Sequence, residues 1–320
     1  LDRDNSILKS NKGKYMLKKT IASVLISSVS LFGFDYNLEP KKVSENVWCF
    51  FGKLEMPTKE NGGNMSNHCY IKAKSSYILL DSGPTYQYAQ AAYKEMEKIE
   101  KLPVSYVLNT HEHDDHWLGN NFYKEKFNAT LIGVDLQDKN YEEGKPTRMH
   151  HLLTHDALEG THIVKLDKYI TKPQTMLLDG EKFDFVPVGQ GHSNYDVFMY
   201  MPERKVLFSG DLVMNGRITS NRDGLVIGQL KALKTMQEYD WNVLVPGHGF
   251  DFSKSALDES VKYFSLLKER VLSAVEEDVG LDGVNKFVKM VEYKDKAMFD
   301  ILNSANVSNA YTELEFFEEE

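Results

Sequence analysis

Basic residues are in deficit: 38 Lys and Arg stand against 47 Asp and Glu, a net charge of −9. A sequence-blind nucleic-acid binder needs a basic surface to neutralise phosphates, so nucleic acid is excluded as a default partner. Cysteine is scarce. Cys49 and Cys69 allow one bridge at most, and a single disulfide between neighbouring strands and two buried free thiols both fit the pattern. There is no repeat or low-complexity tract, and no apolar run reaches the ~20 residues of a comfortable membrane span. Hydrophobic residues at 42% and charged residues at 27% make an ordinary globular balance, which excludes a disordered or collagen-like chain. The 320 residues suffice for one large domain or two ordinary ones with a buried core.

The positive charge that is present is unevenly spread. Met16-Leu17-Lys18-Lys19 opens a basic stretch, followed by an apolar run over 20–32 and then Gly33. A charged start, a short apolar core and a small residue near the end match a secretory signal peptide. On this reading residues 1–15 are an upstream or non-native segment and 16–33 the signal. The mature protein is then periplasmic or secreted, with no stable membrane insertion after cleavage. The plain alternative is a buried N-terminal strand or helix. Residues 1–33 carry more positive than negative charge, so the chain beyond Gly33 is more acidic than the whole.

Short apolar strands are predicted at 47–51, 69–71, 77–80, 104–108 and 129–134, with helices over 85–101 and 117–126. Residues 137–169 turn polar and read as an irregular or helical insertion. Four closely spaced strands come next, at 176–178, 183–188, 197–201 and 205–208. A helix over 230–239, a strand at 242–245 and a long amphipathic helix over 254–277 complete the body. Two runs of strands with interspersed helices predict two sheets packed face to face with helices outside. Residues 34–276 form this domain, and 277–320 are expected to be a helical C-terminal extension ending in an acidic tail.

The chemistry concentrates after the strand at 104–108. There the chain reads Asn109-Thr110-His111-Glu112-His113-Asp114-Asp115-His116. Imidazoles and carboxylates at this density suit Zn²⁺ and similar divalent ions, and a polar surface loop strains to explain three histidines so close together. Three later segments each place one further ligand type beside glycine at the end of an apolar strand: Gly191-His192, Gly210-Asp211 and Gly247-His248. Glycine lets the backbone turn sharply there, so that the side chains can reach a shared point. Five of the ten histidines fall in this set.

The ordered motif His111-x-His113-x-Asp115-His116, then His192, Asp211 and His248, resembles the metallo-β-lactamase superfamily. The resemblance implies an α/β fold, the four-layer αββα sandwich. It also implies two metal positions, one held by His111, His113 and His192, the other by Asp115, His116 and His248, with Asp211 bridging. Two Zn²⁺ per chain are then expected, with a metal-bridged hydroxide acting on an ester, thioester, lactone or amide bond of a small-molecule substrate. Asp115 is placed both to ligate and to orient the nucleophile, whereas Glu112 and Asp114 fill variable positions of the motif. The bridging position holds Asp211 where several true metallo-β-lactamases carry Cys or Ser, which favours the broader hydrolases over a dedicated β-lactamase. Short strings, among them residues 62–67, 207–213 and 310–315, are similar to exported members associated with sulfur oxidation and quinoprotein systems, the SoxH-like branch. The alternatives are a mononuclear iron persulfide dioxygenase of the same fold, with one Fe, and a β-lactamase.

Four other features are weaker. His150, His151, His155 and His162 cluster in the insertion, and His151 and His155 have the i,i+4 spacing of a helical pair, although a polar surface helix explains them as well. That insertion could also act as a lid. The Gly- and Asn-rich loop over 55–67 reads as a flap or an ordinary mobile hairpin loop. The Tyr195 hydroxyl is a candidate oxyanion donor.

Overall fold

A computed structural model of the chain describes residues 34–318; the signal-peptide reading of residues 16–33 lies outside them. The first sheet sets seven strands side by side in chain order: β1 (Lys41–Ser44), β2 (Val47–Phe50), β3 (His68–Lys72), β4 (Tyr77–Leu80), β5 (Val104–Leu108), β6 (Thr130–Gly133) and β7 (Lys168–Tyr169). Pairing is antiparallel from β1 to β4 and parallel from β4 to β7. The second sheet has the order β12-β11-β10-β9-β8, built from β8 (Gln174–Leu178), β9 (Glu181–Gly189), β10 (Asp196–Met201), β11 (Val206–Met214) and β12 (Val243–His248). Only its β11–β12 pair is parallel.

Strand periodicity explains why the two sheets stack. Successive side chains point to opposite faces, and along β10 Val197, Met199 and Met201 enter the core between the sheets. Phe198 and Tyr200, the residues between them, join the core on the far side. The inter-sheet core takes Cys49, Cys69, Ile71, Ile78 and Leu80 from the first sheet and Phe183, Phe185, Phe208 and Val245 from the second. Ten helices complete the described chain: α1 (Tyr86–Ile99), α2 (Asp114–Trp117), α3 (Asn120–Phe127), α4 (Lys139–Glu143), α5 (Arg148–Leu152), α6 (His155–Leu158), α7 (Val226–Gln237), α8 (Lys254–Glu276), α9 (Leu281–Phe287) and α10 (Phe299–Leu314). On the outer face of the first sheet, Tyr70, Tyr77 and Leu79 pack against Tyr88, Ala92 and Met96 of α1 and Phe122 and Tyr123 of α3. On the outer face of the second, Phe198, Leu207 and Leu244 meet Leu233 of α7, Phe264 and Leu267 of α8 and Val307 and Tyr311 of α10. The architecture is the four-layer αββα sandwich.

The cysteine alternatives resolve into one disulfide. Cys49 and Cys69 lie directly opposite each other in the β2–β3 register and are bonded, buried between the sheets. Elsewhere the structure departs from the sequence pattern in physically readable ways. The helix expected over 117–126 is two helices, because the Gly119 N–H leaves the helical ladder and donates to Gly83 O at 2.9 Å. A Cβ at Gly119 would lie 2.4 Å from Ser82 O. Strand β11 runs on to Met214, so Asp211 sits inside a strand rather than after one. No helix among the described residues is long and apolar enough to cross a membrane.

Candidate metal centre

Parallel strands deliver the site. His111, His113, Asp115 and His116 lie in the turn after β5 and the first turn of α2; His192 comes after β9, Asp211 is on β11, and His248 ends β12. Close backbone approach is required where β11 meets β12, since a Cβ at Gly247 would lie 2.0 Å from Asp211 Oδ1. All seven residues singled out in the sequence come together. One ligand atom each from His111, His113, His192 and Asp211 falls within 4.8 Å of the others, and the same holds for Asp115, His116 and His248. Asp211 lies between the two groups. Its Oδ2 is 3.6 Å from His111 Nε2, 3.3 Å from His192 Nε2 and 3.2 Å from His248 Nε2, while Oδ1 is 3.1 Å from His116 Nε2.

Each imidazole has its other ring nitrogen committed elsewhere, which fixes the atom it presents. His192 Nδ1 donates to Ser220 O at 2.9 Å, and His248 Nδ1 donates to Met65 O at 2.5 Å. His116 Nδ1 pairs with Asp81 Oδ2 at 2.8 Å, and His113 Nε2 with Asp223 Oδ2 at 3.0 Å. His111 Nδ1 meets Thr110 Oγ1 at 3.0 Å, and that hydroxyl donates onward to Asp81 Oδ2 at 3.0 Å. Asp81 therefore orients two rings, one directly and one through Thr110.

The same hydrogen bonds decide whether the residues fit a cation. With their protons directed outward, His192 Nε2 and His113 Nδ1 face each other as two lone pairs only 3.0 Å apart. His111 Nε2, His116 Nε2 and Asp211 Oδ1 are buried with no hydrogen bond among the described residues. Inward-facing acceptors this close repel unless a positive charge lies among them. The carboxylates give the pocket a negative field that a proton on His116 answers when no cation does. Burial alone would lower the His116 pKa, but Asp211, Asp81 and Asp115 outweigh it and hold the ring well above its ordinary range. Burial would raise Asp211, yet His116, His248 and His111 hold it well below the usual carboxylate range. His111, in contrast, is pushed down by burial. The donor set fits divalent cations.

The variable positions of the motif are held away from the donors. Glu112 accepts from Ser193 Oγ at 3.0 Å and from Asn194 Nδ2 at 2.8 Å. Asp114 accepts from Arg148 Nη2 at 2.9 Å and from Met149 N at 2.7 Å. Arg148 also reaches Asp115 Oδ1 at 2.8 Å, so the polar insertion does contribute to the site, through an arginine rather than its histidines. His151 and His155 are not a helical pair, because Leu153 and Thr154 between them are extended and the two residues lie on α5 and α6. The Tyr195 hydroxyl donates to Thr171 O at 3.2 Å and is not part of the cleft. The 55–67 loop is anchored rather than free: Asn67 Nδ2 donates to Pro246 O and Gly249 O, each at 2.9 Å. Met56 and Met65 from that loop, with Met214 and Leu302, give apolar walls to a cleft of about 50 Å³ over the donors.

Asp81, Asp223, Arg148 and Arg217 have places here that sequence reasoning missed. Asp81 carried a signal only as the start of a turn, Asp81-Ser82-Gly83-Pro84, and its positive φ of 53° belongs to that turn.

The comparisons with known proteins agree with this geometry. The family model of the metallo-beta-lactamase superfamily matches residues 61–248. Among curated proteins the chain is similar to metallo-beta-lactamase IND-1 of Chryseobacterium indologenes, 26% identical over 64% of this chain and 77% of that protein. It is also similar to the 2,4-dinitroanisole O-demethylase subunit alpha of Nocardioides sp. strain JS1661, 21% identical over 68% of this chain and 63% of that protein. Among solved structures, a metallo-beta-lactamase from Pontibacter korlensis superposes with a TM-score of 0.56 at 22% identity, covering 71% of this chain and 99% of that one. The inverting sec-alkylsulfatase Pisa1 from Pseudomonas sp. superposes with a TM-score of 0.67 at 16% identity, covering 88% of this chain and 51% of that one. This chain thus spans about half the length of the alkylsulfatase. At these identities the structural likeness speaks for the fold.

Proposed function

The chain belongs to the metallo-β-lactamase superfamily, and from that premise we propose that it is an exported hydrolase using two Zn²⁺ per chain. It acts on an ester, thioester, lactone or amide bond of a small molecule. The observation that carries this reading is the set of inward-facing acceptors: His113 Nδ1, His192 Nε2 and His111 Nε2 on one side, Asp115, His116 and His248 on the other, and Asp211 between. Ions bound there would lower the pKa of a coordinated water and polarise a substrate oxygen. The side chains do the rest. Arg148 grips Asp115 Oδ1, which leaves Oδ2 aimed into the site to accept a proton from the attacking water. The methionine and leucine walls of the cleft exclude bulk water from an apolar substrate body. Export is supported by the basic and apolar residues 16–33 and by the buried Cys49–Cys69 bridge, which persists most readily in an oxidising compartment.

Metal quantitation on the purified chain, followed by a panel of chromogenic ester, thioester, lactone and cephalosporin substrates, tests the proposal. Two Zn per chain and turnover of one panel member are expected. Asp115→Ala should lower that turnover about a hundredfold or more while His111, His113 and His192 still hold an ion. One Fe per chain with oxygen uptake on a persulfide overturns the proposal, and so does a chain that takes up no metal.

A further inference from the structure

Glu112 stands between His111 and His113, yet its carboxylate is not among the clustered ligand atoms. It is committed to neutral hydrogen-bond donors instead. Oε2 accepts from Ser193 Oγ at 3.0 Å, and Oε1 accepts from Asn194 N at 3.1 Å and from Asn194 Nδ2 at 2.8 Å. All of these belong to the two residues that directly follow His192. The Glu112 backbone is fixed as well, because buried Trp117 donates from Nε1 to Glu112 O at 2.8 Å. Lower down, the same two segments are joined by the bond from Val197 N to Thr110 O at 2.9 Å. One tie therefore holds the bases of the two ligand-bearing loops, and the Glu112 carboxylate holds their tips. Asp196 has a different task. Its Oδ2 accepts from Gly191 N at 3.1 Å and from Ser193 N at 2.8 Å, which shapes the His192 loop from within without attaching it to the motif. Between the tips, His113 Nδ1 and His192 Nε2 lie 3.0 Å apart. Two acceptors that close push the loops apart whenever no cation lies between them. A site that opens in the absence of its ion binds that ion more weakly, in proportion to the fraction of molecules that stays closed. A carboxylate suits the task of closing it, being an acceptor with room for several donors at once.

We propose that Glu112 is a positioning residue. Its carboxylate latches the motif turn to Ser193 and Asn194, and so holds His113 and His192 at the separation an ion needs before the ion arrives. The latch rests on the two-zinc reading of the site, but on no particular substrate or bond.

The test compares Glu112→Ala, Glu112→Gln and Asn194→Ala with wild type, all as the full chain. Glutamine can keep the latch: its Oε1 still accepts from Asn194, and its Nε2 donates to Ser193 Oγ, whose own proton then turns to Asp196 Oδ1, already 3.0 Å away. In metal-free protein, the Asn194 amide hydrogen should exchange about tenfold or more faster in Glu112→Ala than in wild type, and no faster in Glu112→Gln. In zinc titrations against a competing chelator, Glu112→Ala should weaken the ion held by His111, His113 and His192 about tenfold and leave the ion held by Asp115, His116 and His248 unchanged. Glu112→Gln should hold both ions as wild type does. Asn194 is exposed, so Asn194→Ala keeps the fold; it should weaken the same ion by less, and add nothing when combined with Glu112→Ala. If Glu112→Gln loses as much as Glu112→Ala, the charge matters and the latch does not. If both ions weaken alike in Glu112→Ala, the residue serves general stability. Either result overturns the proposal and leaves the hydrolase reading intact, and so does an Asn194 amide that exchanges equally in wild type and Glu112→Ala. If the zinc affinities follow the latch but no ester, thioester, lactone or cephalosporin is cleaved, the latch stands and the hydrolase reading falls. A chain that takes up no zinc overturns both.

Discussion

The donor cluster has a floor and a rim, and the two are held by different kinds of structure. On the floor, His111, His116 and His248 are fully buried, and their outer nitrogens are fixed by Thr110, Asp81 and the Met65 carbonyl. These partners belong to the sheet edge and to a loop sewn onto β12 by Asn67. On the rim, His113 and His192 are fixed by Asp223 and the Ser220 carbonyl. Both partners come from the segment between β11 and α7, which also carries Arg217 and Arg222. That segment is secured by the C-terminal helix: Asn306 Nδ2 donates to Thr219 O at 2.6 Å, and Glu313 accepts from Val226 N and Ile227 N at the start of α7. The floor is thus part of the sandwich itself, while the rim depends on residues more than 80 positions further along the chain. Metal retention should be governed by the floor, and substrate recognition by the rim.

Asp211 belongs to both regions, so its loss is the largest effect expected. Asp211→Ala should empty both metal positions and abolish turnover, a fall of about a thousandfold or more, read by elemental analysis and kinetics on the same preparation. If one ion per chain remained at wild-type affinity, Asp211 would not be shared between floor and rim. Next is Asp81→Asn. Asparagine tolerates the positive φ at this position and keeps one acceptor for Thr110, but it loses the charge that orients His116 and, through Thr110, His111. A 10–100-fold weakening of metal affinity is the general order for such outer partners. Competition with a chromophoric chelator would measure it, and the ion held by Asp115, His116 and His248 should be released first.

How much of the molecule is legible in the sequence divides along the same line. The ligands could be found because each is a chemically distinctive residue beside glycine at the end of an apolar strand; β4 and β5, for example, match their predicted bounds of 77–80 and 104–108. The partners that orient those ligands could not. Asp81 and Asp223 are single polar residues in turns, and they acquire a role only when segments 29 to 110 positions apart meet. Strand β1 was invisible for a related reason: Lys41–Ser44 has no apolar alternation and is recruited by pairing with β2. The break between α2 and α3 likewise depends on a tertiary bond from Gly119 to Gly83.

The rim gives the two smaller effects. Asn306→Ala removes a side chain that satisfies Thr219 O, Asn221 N and the Tyr263 hydroxyl in a buried setting. Leaving such groups unpaired costs about 1–3 kcal/mol, and denaturant unfolding should show that loss. Because the same change loosens the rim segment, KM should rise more than kcat falls, with zinc content near wild type. A loss of zinc to match Asp81→Asn would mean that floor and rim are not separable.

Asp223→Asn should be the mildest. The carboxyl is about one-third exposed. Its pKa is held below the ordinary range chiefly by the His113 hydrogen bond, with Arg222 adding to the effect. A depressed carboxylate stabilises the fold above its unfolded pKa of about 4, and the contribution is lost as pH falls through the lower folded value. In chelator-treated protein, wild type and Asp223→Asn should therefore differ slightly in stability at neutral pH and converge as acid is added. In the zinc-loaded enzyme the substitution should leave the floor ion in place and speed exchange of the rim ion several-fold, since His113 keeps its position but loses the charge that makes its ring a better donor. Equal exchange rates for the two ions in wild type and variant would erase the distinction between floor and rim.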